Sequence, residues 1–140
     1  MNEIESAQDA LIEDFRMFDN WMDRYQYIID LGKELPAFPD EWRTEENRIR
    51  GCQSQVWLRT ECVGGRLDFS AVSDSAIVSG LIAILMRVYS GKRSMDIVAA
   101  SPEFIGAIGL DEHLSPTHSN GLNSMITAIK GAAGACVDAA

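Results

Sequence analysis

The sequence predicts an α+β fold in which a small antiparallel sheet packs against N-terminal and C-terminal helices. Apolar residues recur every three or four positions over the first 30 residues, and again from Ile77 onward. Between Gln55 and Ala71 the period changes to two, which is typical of strands. The chain of 140 residues has no internal repeat and no linker-like tract, so one domain over residues 1–140 is expected.

Two amphipathic helices open the chain. The first has its apolar stripe between Ile4 and Phe18, and the second begins near Asp19–Asn20, whose side chains suit a helix N-terminus. It is expected to end between Gly32 and Pro36. Residues 35–43 contain two prolines and form an ordered connector, and residues 44–50 form a helical turn or a loop.

A β-hairpin follows the connector. One strand face carries Val56, Leu58, Thr60 and Cys62, and Gly64–Gly65 is a turn signal. On the returning strand, Leu67, Phe69 and Ala71 alternate with polar residues.

The second half is predicted to be helical. The segment Ser73–Asp74–Ser75 caps a strongly apolar helix that stops at Ser90–Gly91. Short helices begin at Ser94 and at Ser101–Pro102, with proline at the first helical position. Residues 110–120 form a loop, and a last helix opens at Leu122 and frays in the tail GAAGACVDAA.

The charge distribution excludes some partners. Residues 1–46 hold 13 Asp and Glu against four Lys and Arg, and the remaining residues are formally neutral. This acidic segment argues against binding to nucleic acid, since phosphate contacts need clustered Lys and Arg. It permits docking on a basic partner surface, and the default interpretation is a solvated helical face. No apolar stretch is long enough to cross a bilayer, and the acidic N-terminus differs from a signal peptide. A cytoplasmic protein without membrane contact is expected.

The cysteines and histidines do not form a metal motif. Cys52, Cys62 and Cys136 include no CxxC pair, and His113 and His118 lie far along the chain. No metal site is therefore expected. In a reducing cytosol all three cysteines are expected to be free thiols.

The segment GCQSQVWL at 51–58 is the candidate functional site. Only a thiolate is a good nucleophile, and Arg48 and Arg50 could lower the pKa of Cys52. Gly51 leaves space beside the sulfur, and the polar side chains that follow it offer hydrogen-bond donors to a thiolate (Gln53, Ser54 and Gln55). The same context is equally compatible with a buried cysteine at a tight turn.

The sequence lacks the other parts of a self-sufficient catalyst. A thiol hydrolase needs a histidine base, and neither His113 nor His118 has a local signature for that role. Trp42 and Trp57 suit packing, and no lysine lies in a cofactor context. A thiol that accepts and passes on a group fits better.

The chain resembles the SufE/CsdE family of sulfur acceptor proteins. The likeness centres on NRIRGCQSQVWL at 47–58. It extends, in the family's order, to WMDRYQYIIDLGKELP at 21–36, SDSAIVSGLIAIL at 73–85 and LSPTHSNGL at 114–122. The resemblance implies a SufE-like fold, with the cysteine loop near the tip of the sheet and its sulfur sheltered by apolar residues.

The resemblance also implies a function. Cys52 would accept persulfide sulfur from a cysteine desulfurase of the SufS/CsdA type, stimulate that enzyme, and deliver the sulfur to an iron–sulfur scaffold such as a SufBCD-like complex. Pyridoxal phosphate (PLP) belongs to the desulfurase, and this chain itself would bind no cofactor. Arg50, Gly51, Gln53, Ser54 and Gln55 would form the supporting loop.

Two further residues are candidates for holding this loop or docking the partner, Asp74 and His118. His118 departs from the family, which usually has arginine there, so it would act weakly or only when protonated. Cys62 is expected in the core and Cys136 in the frayed tail. Two alternatives stay open: a relative that docks the desulfurase without carrying sulfur, and a free-standing cysteine hydrolase.

Overall fold

The computed structural model describes residues 1–139 and confirms the α+β class. The described elements are α1 (Glu3–Phe15), α2 (Trp21–Gly32), a single 3-10 turn (Asp40–Trp42), β1 (Val56–Val63), β2 (Arg66–Ser73), α3 (Ala76–Tyr89), β3 (Lys92–Arg93), α4 (Ser94–Ala99), α5 (Glu103–Ile108), α6 (Leu110–His113) and α7 (Pro116–Ala139).

Asparagine caps open the two N-terminal helices. The Asn20 side chain accepts a hydrogen bond of 2.9 Å from the backbone N–H of Asp23, as the sequence predicted for α2, and Asn2 does the same for α1. Helix α2 packs against α3 at Gly80, where a Cβ atom would overlap the backbone carbonyl of Ile28. The two helices therefore approach more closely than an alanine would allow.

The sheet is antiparallel with strand order β1-β2-β3. The predicted hairpin is confirmed, and its register pairs Val56 with Ser73 and Val63 with Arg66. Gly64 and Gly65 close it at φ values of 58° and 78°, in the left-handed region that favours glycine. The third strand was not predicted, because two residues are too few to show an alternating pattern.

The hydrophobic core surrounds helix α3 and is formed with the sheet, α7 and the helices α1, α2 and α5. The face of the hairpin that points into this core is buried at Val56, Leu67, Phe69 and Ala71. Helix α3 contributes fully buried Leu81 and neighbours on nearly every face, which explains its continuous apolar sequence.

The prediction of a loop over residues 110–120 was wrong. Helix α6 occupies its first part, and α7 already begins at Pro116. The Ser115 hydroxyl accepts a hydrogen bond of 3.2 Å from the His118 backbone N–H, and proline suits the first helical position because no N–H is needed there. At α5, in contrast, Pro102 is the cap that precedes the helix, not its first residue.

The expectations for Cys62 and Cys136 were also wrong. The tail is helical to Ala139, and Cys136 is only 3% exposed because small residues let α7 pack against α4 and the sheet. Cys62, in turn, is exposed near the end of β1. The two cysteines form a disulfide with their Cα atoms 5.6 Å apart, so they are not free thiols. Sequence alone could not show that α7 returns to the hairpin.

Candidate functional site at Cys52

Cys52 lies on a tight loop that precedes the sheet. The Ile49 N–H donates to the Val56 carbonyl at 2.9 Å, and the Leu58 N–H donates to the Asn47 carbonyl at 2.8 Å. Residues 47–49 therefore run antiparallel to the start of β1. The intervening residues 50–55 form the Cys52 loop, whose two ends these hydrogen bonds hold together.

The sulfur of Cys52 packs against helix α7. Its Sγ lies 3.8 Å from the backbone carbonyl oxygen of Gly121, a weak hydrogen bond for the thiol. A Cβ atom at buried Gly121 would stand 3.6 Å from the same sulfur, so the helix presents bare backbone to it. Cys52 is half-buried against the core, and this burial raises the pKa of the thiol.

Gly51 brings the loop close to α7. It has a φ of +88°, and a Cβ atom there would lie 2.6 Å from the hydroxyl oxygen of Ser124. Glycine is therefore required for the backbone conformation and for the close approach. The sequence predicted that Gly51 leaves room beside the sulfur; in the structure that room is occupied by α7.

Asp74 holds the other end of the loop. Its carboxylate accepts a hydrogen bond of 3.1 Å from the Gln55 N–H, and its own N–H donates to the Gln55 carbonyl at 3.4 Å. Asp74 lies where β2 passes into α3. The Cys52 loop thus contacts β1, α7 and the start of α3.

The expectation that neighbouring arginines lower the pKa of Cys52 was wrong. The guanidinium groups of Arg48 and Arg50 lie 3.6 Å and 3.3 Å from the carboxylate of Glu45, which neutralises part of their charge. Burial is the cause of the shift in the Cys52 pKa, and its direction is upward.

The polar side chains after Cys52 do not contact its sulfur. Gln53 and Gln55 are exposed and Ser54 is half-buried. Within residues 1–139, the hydrogen-bond partner of Sγ is the Gly121 carbonyl and no side chain. The free protein therefore does not stabilise a thiolate in the way the sequence suggested.

The histidines do not form a catalytic pair with Cys52. His113 stacks on Trp21, with ring centroids 4.7 Å apart and planes at 14°. His118 lies in the first turn of α7, one turn before Gly121. Neither imidazole is hydrogen-bonded to Sγ in the described part of the chain, so the nucleophile–base pair of a thiol hydrolase is not formed.

Aromatic residues brace the segment that leads to the loop. The Arg59 guanidinium lies 4.1 Å from the centre of the Trp42 ring, and Arg43 lies 5.4 Å from the centre of the Trp57 ring. Trp42 also packs edge-on against Phe38. These contacts connect residues 35–43 to β1 and agree with the packing role predicted for both tryptophans.

Sequence reasoning missed three residues of the site: Glu45, Gly121 and Ser124. Gly121 lies within the segment LSPTHSNGL that carries the family resemblance, so a signal for it was present. Glu45 and Ser124 had none, because their roles depend on which elements lie next to the Cys52 loop.

No group of three potential metal ligands occurs among residues 1–139. None of the helices described there is long and apolar enough to span a membrane.

Fold and site together define a small α+β protein that presents one free thiol on a loop against its C-terminal helix. The chain belongs to the SufE family, described as an Fe–S metabolism associated domain, which matches residues 9–133. It is 48% identical over 130 residues to an uncharacterised SufE-like protein of Rhizobium meliloti, covering 89% of this chain and 93% of the relative. A second such protein, of Rhizobium etli, is 46% identical over 130 residues, with 89% and 88% covered.

A solved structure supports the fold. The solution structure of a hypothetical protein from Thermus thermophilus matches with a TM-score of 0.77 at 17% identity, covering 94% of this chain and 96% of that one. At this identity the match shows a shared architecture alone.

Proposed function

We propose that this protein is a sulfur carrier that takes persulfide sulfur onto Cys52 from a PLP-dependent cysteine desulfurase. The observation that carries the proposal is a free thiol on a loop, half-buried against the bare backbone of Gly121. Membership of a family associated with Fe–S metabolism supports sulfur as the transferred group. The delivered sulfur would then serve iron–sulfur cluster assembly on a scaffold complex in the cytoplasm.

The transfer is a displacement at sulfur. The Cys52 thiolate attacks the outer sulfur of the desulfurase persulfide, and the bond between that sulfur and the desulfurase cysteine breaks. The desulfurase cysteine leaves as a thiolate, and Cys52 holds the new persulfide. No oxidant or metal is consumed in this step.

Burial of the thiol has a consequence for timing. Because burial raises the pKa of Cys52, little thiolate is present in the free protein at neutral pH. Docking that lifts the loop from α7 would hydrate the sulfur, lower its pKa and produce the nucleophile beside the donor. The contacts that such lifting breaks are the ones made by Gly121, Ser124 and Asp74.

Intact-protein mass after incubation with an active cognate desulfurase and free cysteine, without reductant, tests the proposal. We expect a gain of one sulfur atom that dithiothreitol removes and that Cys52→Ser abolishes. The double variant Cys62→Ser/Cys136→Ser is the matched control and should still gain sulfur. A desulfurase that is stimulated while Cys52 gains no sulfur would instead support a docking protein without sulfur transfer.

A further inference from the structure

The disulfide between Cys62 and Cys136 is a second thiol site with a different environment. Cys62 is exposed near the end of β1, whereas Cys136 is only 3% exposed on α7. A cysteine at an exposed position is thus paired with a cysteine at a buried position, on two separate elements. When reduced, such a pair can react in sequence, the outer thiol first and the inner thiol second.

This pair is far from Cys52. Gly121, which contacts the Cys52 sulfur, and Cys136 lie on the same helix, α7. Their separation of fifteen residues corresponds to about 22 Å along a helix. A persulfide on Cys52 therefore cannot reach Cys62 within one molecule, and a sulfur donor for Cys62 comes from solution.

An open cleft with basic residues adjoins the pair. It is lined by Gly64, Gly65, Arg66, Arg93, Met95 and Val137. Val137 follows Cys136 in the chain, and the Arg66 carbonyl lies 3.8 Å from the Cys136 sulfur. Arg66 pairs with Arg93 across β2 and β3, but the Arg66 guanidinium lies 3.0 Å from the Glu3 carboxylate, so Arg93 supplies the positive charge of this cleft. A small donor with carboxylates, such as a peptide persulfide, suits this charge.

We propose that the reduced Cys62–Cys136 pair consumes the sulfane sulfur of small anionic persulfides and releases it as hydrogen sulfide. The Cys62 thiolate attacks the outer sulfur of the donor, and the donor leaves as a thiol once it is protonated. Cys136 then attacks the Cys62 sulfur, and the bond from Cys62 to the outer sulfur breaks, releasing hydrosulfide.

The electrons balance without a further oxidant. The two cysteine thiols lose two electrons and become the disulfide, and the sulfane sulfur gains both and becomes sulfide. The protons of the thiols leave with the donor thiol and the sulfide. Closing the pair leaves Cys52 as the one free thiol among residues 1–139.

The test uses the full chain carrying Cys52→Ser, so it does not depend on the proposed transfer to Cys52. The protein is reduced, freed of reductant without air, and mixed with glutathione persulfide. We expect one sulfide released per chain and a mass lower by two hydrogen atoms. With Cys136→Ser added, Cys62 should keep the extra sulfur and release no sulfide; with Cys62→Ser added, neither product should form.

Two results would overturn the proposal. One is sulfide release no faster than with the chain that lacks both Cys62 and Cys136. The other is a stable extra sulfur on the chain in which both are present. Arg93→Gln tests the cleft separately, because it leaves the thiols intact and should slow sulfide release several-fold at low salt. An unchanged rate in that variant would remove the cleft as the donor site.

Discussion

Replacing Gly51 with alanine should release the Cys52 loop from α7. The left-handed backbone at φ +88° costs a residue with a Cβ atom about 1–2 kcal/mol. The new Cβ would also stand 2.6 Å from the Ser124 hydroxyl oxygen, and turning that hydroxyl away or moving the loop costs up to about 1 kcal/mol more. We therefore expect a loss of about 1–3 kcal/mol in the free energy of unfolding.

The same change should expose the sulfur. A loop displaced from Gly121 hydrates Cys52, so the pKa of the thiol falls towards its ordinary value and iodoacetamide reacts faster. Urea unfolding gives the stability, and the rate of alkylation, followed by mass with the Cys62–Cys136 disulfide intact, gives the exposure.

A second substitution separates the two causes. Ser124→Ala removes the hydroxyl oxygen and leaves the Ser124 Cβ at an ordinary 3.6 Å from the new atom. The double variant Gly51→Ala/Ser124→Ala should therefore recover the steric part of the loss and keep the backbone part, with Ser124→Ala alone as the control. The reasoning fails if Gly51→Ala alkylates at the wild-type rate, or if the double variant is less stable than the two single losses together.

Other expectations follow from the same contacts. Asp74→Ala should lower the free energy of unfolding by about 0.5–2 kcal/mol and speed alkylation of Cys52, because the Gln55 N–H loses its carboxylate acceptor. Asp74→Asn keeps an acceptor oxygen, so its stability and alkylation rate should stay near those of the wild type. Equal alkylation rates in the two variants would refute the contact. Burial raises the pKa of the Cys52 thiol above its value in the unfolded chain. The thiol therefore contributes fully to the free energy of unfolding below its unfolded-state pKa, and this contribution is lost as pH rises through its folded-state pKa. Rate–pH curves for alkylation in buffer and in urea should therefore have different midpoints, with the folded one higher, and coincident midpoints would contradict this. Gly131→Ala on α7 should raise the free energy of unfolding by about 1 kcal/mol, since its Cβ meets open space. Gly80→Ala should lower it by more than that, because its Cβ would overlap the Ile28 carbonyl. A higher melting temperature for Gly80→Ala than for Gly131→Ala would refute the packing of α2 on α3.

Much of the fold was predictable because its signals are local. The periodicity change at Gln55, the Gly64–Gly65 turn and the cap at Asn20 each depend on a few neighbouring residues, and the structure confirms all three. The two errors in helix boundaries near the C-terminus were also local in origin. Pro116 was interpreted as part of a loop, but it is the first residue of α7, which the Ser115 hydroxyl caps. The small residues of the tail show little helical periodicity, so its helix was not expected to continue to Ala139.

The sequence by itself determined the α+β class, the hairpin with its glycine turn and the position of Cys52 on a loop, since hydrophobic periodicity and turn chemistry act over a few residues. Only the tertiary structure decided the environment of that thiol. Arg48 and Arg50 form ion pairs with Glu45 and do not lower the pKa of the thiol. Gly121 and Ser124, which follow the Cys52 loop by about 70 residues in the sequence, pack against it. The pairing of Cys62 with Cys136 has the same origin, because contacts between distant segments depend on how whole helices pack on the sheet.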